Sequence, residues 1–117
     1  ANGELVARNI DELHSRTGDA ALFVTETGRR INGQWSGSPS PVEHDILTGS
    51  NADGTASGDT CGNWTSNSAG SAMVGHHDRT SISGRPSWNS AHTTPGCGIE
   101  QLRRVGGEGF FYCFAAK

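Results

Sequence analysis

The residues best equipped for chemistry in this chain are its histidines and the acids beside them. His44 is followed by Asp45, His76 and His77 are followed by Asp78, and His92 stands alone nearer the C-terminus. Imidazoles combined with a carboxylate bind zinc when a fold brings three or four such groups together. Neighbouring residues on a strand point to opposite faces, so His76 and His77 do not both join one site. The plainer expectation is that these rings pack beneath loops and hydrogen-bond to backbone. Ligand contact and metal binding are the alternatives. A metal-dependent enzyme shared with a second chain would draw on His44, His76 or His77, Asp78 and His92.

A second group offers oxygen rather than nitrogen. Asn51, Asp53, Thr55, Asp59 and Asn63 lie in one short stretch, and calcium takes about six to eight oxygens. The closing glutamate of an EF-hand loop is missing, and Asp53-Gly54 is a standard turn pair. No cofactor is expected, with calcium and zinc as the alternatives. No nucleophile elbow of the G-x-S-x-G type occurs, and Cys113 sits in an apolar segment where a thiol is inert. An enzyme is therefore not expected. Trp35, Trp64 and Trp88 either stack against a ligand or fill the core. Trp64, close to Cys61, is expected inside; Trp88, flanked by Ser87, Asn89 and Ser90, is expected at a binding rim.

The elements that would position these groups are short. A chain of 117 residues is one domain at most. Only 32% of it is hydrophobic, yet its net charge is just -3, so it reads as a loop-rich globular fold with a small core rather than as a disordered chain. The charge balance and scattered basic residues give no nucleic-acid footprint, and no apolar run is long enough to span a membrane. Asn9 caps a predicted helix over Ile10–His14. Strands are predicted at 5–7, 20–25, 31–35, 44–48, 61–66, 72–75 and 87–89. The closing segment, 109–115, carries aromatics on both faces and predicts a strand buried on both sides. Between them, residues 49–59 are turn-forming and almost free of apolar side chains. Cys61, Cys97 and Cys113 are an odd number, which leaves one without a partner inside the chain.

Several stretches, in order, resemble a known family: His44 to Gly49, Asn51 to Ala56, Cys61-Gly62-Asn63-Trp64-Thr65-Ser66, Val74 to Arg79, Ser87 to Ser90, Gly96-Cys97 and Gly106 to Ala116. Together they are similar to the C-terminal part of endostatin, and more so to a group of bacterial lectin-like domains of the C-type-lectin-like superfamily. The resemblance implies an α+β fold of C-type-lectin-like form, in which short strands carry a long irregular loop region. It implies a Cys61–Cys97 disulfide. It also implies that residues 1–117 are a single domain lacking its N-terminal segment, and that Cys113 pairs with a cysteine outside the chain, on a companion chain or the missing half. The implied function is a secreted, periplasmic or cell-surface binding module, lectin-like or adhesin-like, that recognises a glycan or a surface protein. A structural assembly subunit is a further alternative. The expected ligand surface lies between residues 49 and 95 and uses His76, Asp78, Arg79, Trp88 and His92. The acidic triplets of the sugar-binding C-type lectins are absent; Trp88-Asn89-Ser90 is a near miss, with Ser in place of the acid.

Overall fold

The computed structural model describes residues 3–15, 20–79 and 86–115. α1 (Ile10–Ser15) begins where its cap predicts. Asn9 Oδ1 accepts from the Glu12 amide at 2.8 Å, and the Glu12 carboxylate accepts from the Arg8 amide at 3.0 Å, so two amides that a helix start leaves unpaired are satisfied. No residue of α1 is buried. The helix is tied down by polar contacts: the Arg79 guanidinium reaches the carbonyls of Leu13 and His14, and Trp88 Nε1–H donates to His14 Nδ1 at 3.2 Å.

Five of the predicted strands, at 5–7, 20–25, 31–35, 61–66 and 87–89, are not strands. Residues 5–7 are irregular, Ala20–Leu22 is a 3-10 turn, and the stretch after it holds a single bridge between Val24 and Arg30. The Gly28 amide donates to the Thr25 carbonyl at 2.9 Å and folds the chain back on itself too soon for a longer ladder.

The sheet has four strands: β1 (Asp45–Leu47), β2 (Met73–His76), β3 (His92–Thr93) and β4 (Gly107–Phe111), in the order β3-β2-β1-β4. β2 is antiparallel to β1, with His76 opposite Asp45, and to β3, with Val74 opposite His92. β4 runs parallel to β1, with Gly107 opposite Asp45 and Phe111 opposite Leu47. α3 (Ile99–Val105) leads directly into β4. Glu100 in its first turn and Arg103 and Arg104 in its last suit the helix dipole. Gly106 stops it at φ 105°, a left-handed conformation that glycine adopts freely. These are ordinary helix signals, but α3 is not among the elements predicted from the sequence.

Strand alternation gives the sheet two different faces. On one, Asp45, Leu47, Val74 and Gly107 lie around Leu102 of α3 and Thr94. On the other, Gly75 lets the chain at Trp88 lie directly on the sheet, since a Cβ at residue 75 would fall 1.7 Å from the Trp88 carbonyl oxygen. The packing on that side is aromatic. Phe23 meets His77 at 5.5 Å and Tyr112 at 5.6 Å between ring centroids, and Tyr112 meets Trp88 at 5.6 Å and Phe114 at 5.4 Å. Large rings bury much area each, which lets a chain with few aliphatic residues build a core.

Cys61 and Cys97 form a disulfide, and both are buried with Ala72 against Leu47. The segment at Cys61 is not the predicted strand. α2 (Cys61–Trp64) is one left-handed helical turn, with φ of 51°, 64°, 57° and 63° at Cys61, Gly62, Asn63 and Trp64. The last strand also differs from expectation. β4 ends at Phe111, and because it is an edge strand it is not buried on both sides: Phe111 is 58% and Phe114 42% exposed. The whole is a small α+β domain with a mixed sheet and one disulfide. Among the described residues, no helix is long and apolar enough to cross a membrane.

Candidate functional site

Two places combine chemistry with unusual geometry. The first is buried at the end of β1. Asp45, whose side chain is 1% exposed, lies among three imidazoles: His44 Nε2 at 3.3 Å and His76 Nε2 at 3.0 Å from Oδ1, and His92 Nε2 at 3.4 Å from Oδ2. The strand pairing produces this convergence. His76 stands directly opposite Asp45 across β1 and β2, and His92 enters from β3, the next strand out. The His44 and His76 rings stack at 3.9 Å with planes 14° apart, and His92 meets His76 edge-on at 5.1 Å. Although the distances are those of hydrogen bonds, neither Asp45 oxygen receives an N–H aligned on it.

An outer ring of contacts orients these histidines. His44 Nδ1 lies 3.0 Å and 3.3 Å from the two Asp78 oxygens, and the Asp78 carboxylate also accepts from the Gln34 amide at 2.7 Å. His92 Nδ1 faces the Thr93 carbonyl at 3.1 Å. Both ring nitrogens of His44 and of His92 therefore face an oxygen, Nδ1 the outer partner and Nε2 the Asp45 carboxylate. Burial pushes the Asp45 carboxyl up, but its contacts with His76 and His92 and their charge hold it below the ordinary range. The contact with Asp45 in turn raises His92, against the smaller opposing effect of burial. His77 points away from this cluster, as alternation predicts. Its Nε2–H donates to the Asn32 carbonyl at 3.0 Å, and burial lowers its pKa.

The second place is the surface around α2. The Trp64 indole is 41% exposed and meets the exposed Phe111 ring edge-on at 5.1 Å and 79°. It rests against the backbone of Gly49, where a Cβ would fall 2.8 Å from Trp64 Cζ2. Asn63 and Thr65 beside it are exposed. Left-handed helical conformation costs a non-glycine residue about 1–2 kcal/mol, and Cys61, Asn63 and Trp64 all adopt it. The turn is held by the disulfide at Cys61, by Thr60 Oγ1 accepting from the Asn63 amide at 3.1 Å, and by the Trp64 amide donating to the Thr60 carbonyl at 2.7 Å.

The expected roles of two tryptophans are thus exchanged. Trp64, expected in the core, reaches the surface; Trp88, expected at a rim, is half-buried between His14, Tyr112 and Phe114. The five residues expected at the ligand surface are spread over different environments. His76 and Asp78 are buried, His92 is half-exposed over Asp45, and Arg79 is half-buried at φ 53°. His44, His76, Asp78 and His92 are brought together, with Asp45 at their centre. The oxygen-rich stretch is occupied by its own turns: Asp53 Oδ1 accepts from the Thr55 amide at 3.0 Å and hydroxyl at 2.6 Å, and Asn51 Nδ2 donates to Thr55 and Ala56 at 3.1 Å each. Cys113 is exposed and makes no disulfide within the chain. Comparison with protein-family models, curated proteins and solved structures gives no match in any of the three.

Proposed function

We propose that the chain is a secreted or periplasmic lectin-like binding module that takes a glycan on the surface formed by Trp64 and Phe111. The observation that carries this reading is the left-handed turn of α2, which holds an indole outward at a conformational cost. Strain of this kind clusters at functional positions because nothing in packing alone favours it. Cys61 anchors the turn in the core, but the indole is not packed away there, since it remains 41% exposed. An exposed indole offers a flat apolar face on which the C–H face of a sugar ring stacks. The Asn63 amide and Thr65 hydroxyl beside it are of the kind that pair with sugar hydroxyls. A few polar groups around an aromatic platform are the usual composition of a small-ligand site. The Cys61–Cys97 disulfide preorganises the turn, which reduces the ordering cost of binding.

The test is a glycan array probed with the labelled chain, disulfide intact, beside Trp64→Ala. Trp64→Ala is expected to lose at least about tenfold in signal, since removal of a stacked aromatic costs roughly 1–3 kcal/mol, while its melting temperature changes little. Absence of any glycan signal from the parent chain would overturn the reading, as would equal binding by the variant.

A further inference from the structure

We propose that His44 Nε2, a carboxylate oxygen of Asp45 and His76 Nε2, completed by His92 Nε2, form a structural binding site for one zinc ion. This goes beyond the glycan surface and does not depend on it. The first support is metric. Zinc bonds of about 2.0–2.2 Å in a tetrahedron place neighbouring ligand atoms roughly 3.3–3.6 Å apart. His44 Nε2 and His76 Nε2 lie 3.3 and 3.0 Å from Asp45 Oδ1, and His92 Nε2 lies 3.4 Å from Oδ2. The ligand atoms of His44, Asp45 and His76 all fall within 4.8 Å of one another.

The second support is chemical. The Asp45 side chain is 1% exposed, and neither of its oxygens receives an aligned hydrogen bond although three imidazoles approach. A divalent cation would take the buried carboxylate and the surrounding imidazole nitrogens together, which are the donor types zinc prefers. The Asp78–His44 contact is the carboxylate–histidine arrangement that orients zinc ligands.

The ligands come from the residue before β1, from β1, from β2 and from β3, so the ion would lock three adjacent strands. His44, Asp45 and His76 form the converged set, and His92, 3.4 Å from the second Asp45 oxygen and outside that set, would move in as the fourth ligand; a shell closed in this way would make the site structural rather than catalytic. His92, with its side chain 34% exposed, is the path of entry. The nitrogen-rich donor set selects zinc and its neighbours over calcium or magnesium.

The experiment titrates the chelator-treated full chain, disulfide intact, with Co2+ and then Zn2+. One equivalent of Co2+ is expected to give the visible absorption of a tetrahedral nitrogen–oxygen site, and one equivalent of Zn2+ to abolish it. Zn2+, but not Ca2+ or Mg2+, is expected to raise the melting temperature. His92→Gln, at the rim, keeps the fold and is expected to weaken Zn2+ binding at least about tenfold. Asp78→Asn, acting through His44, is expected to weaken it by about 10–100-fold. His14→Gln, outside the cluster, is expected to change neither. Absence of a Co2+ band in the parent chain overturns the proposal, and so does an affinity that His92→Gln leaves intact. So does nitrogen NMR showing His44 protonated on both nitrogens in the presence of excess Zn2+.

Discussion

Removing the Cys61–Cys97 disulfide tests how far this small domain depends on covalent restraint. The bond closes a loop of 36 residues that contains β2 and β3. In the chain-entropy account such a closure removes about 13 cal/mol/K from the unfolded chain, or about 4 kcal/mol at 25 °C. Domains of this size typically hold roughly 6–17 kcal/mol of stability in total, so the bond supplies a quarter or more of it. The loss is expected with little change in packing, because the reduced thiols would remain buried beside Ala72 and Leu47. Urea unfolding in the presence of chelator, with and without reductant, measures it. With a slope of about 1.5 kcal/mol/M the midpoint falls by about 2.5 M on reduction. Cys61→Ala/Cys97→Ala is expected to fall at least as far. A loss below about 1 kcal/mol in both would refute the view that the restraint on the unfolded chain is what the disulfide contributes.

Other outcomes follow from single contacts. Gly75→Ala places a Cβ on the Trp88 carbonyl and is expected to cost about 2–3 kcal/mol or more in a thermal melt, since backbone has to move. Glu43→Gln removes the carboxylate that accepts from Arg29 at 2.9 and 3.1 Å and from the Asn32 amide at 3.0 Å. Burial pushes Glu43 up, but these partners outweigh it and hold it below its ordinary value of 4.5. Its contribution is therefore complete above pH 4.5 and lost as pH falls through the lowered value. The parent chain is expected to exceed Glu43→Gln by about 1 kcal/mol at pH 7, the half-exposed Arg29 partner limiting the gain, and to converge with it in acid; a pH-independent difference in denaturation midpoints contradicts this. Cys113 is expected to pair with an external thiol under oxidising conditions. A non-reducing intact mass equal to that of the free-thiol monomer after such exposure contradicts it.

The parts of the fold legible in the sequence are those set by local chemistry. Asn9 and Glu12 mark the start of α1, and the structure shows both side chains capping it. The apolar pieces at Ile46-Leu47 and Val74 lie in β1 and β2. What local chemistry leaves open is the conformation at Cys61–Trp64. Gly62 and Asn63 tolerate positive φ, but Cys61 and Trp64 adopt it because the disulfide and the Thr60 cap hold them there. α3 is different, since Glu100, the paired arginines and Gly106 are readable signals that the segment carries in plain form.

The candidate sites divide in the same way. Opposite facing of His76 and His77 follows from strand alternation alone, and the histidines of the cluster are identifiable by type. Asp45 becomes their centre only through the register that sets it against His76 and brings β3 alongside β2. Register of that kind joins residues far apart in the chain and leaves no mark on either segment. Exposure of Trp64 is equally non-local, because it depends on the bond from Cys61 to Cys97 and on the edge position of β4.

The proposed glycan surface is tested most directly by chemical-shift mapping of the isotopically labelled chain with an oligosaccharide selected on the array. The account predicts that the largest shifts fall on the Trp64 indole N–H, the Phe111 ring and the Asn63 side-chain amide, and that the indole resonances of Trp35 and Trp88 barely move. Shifts centred on Trp88, or on none of the three tryptophans, would contradict it.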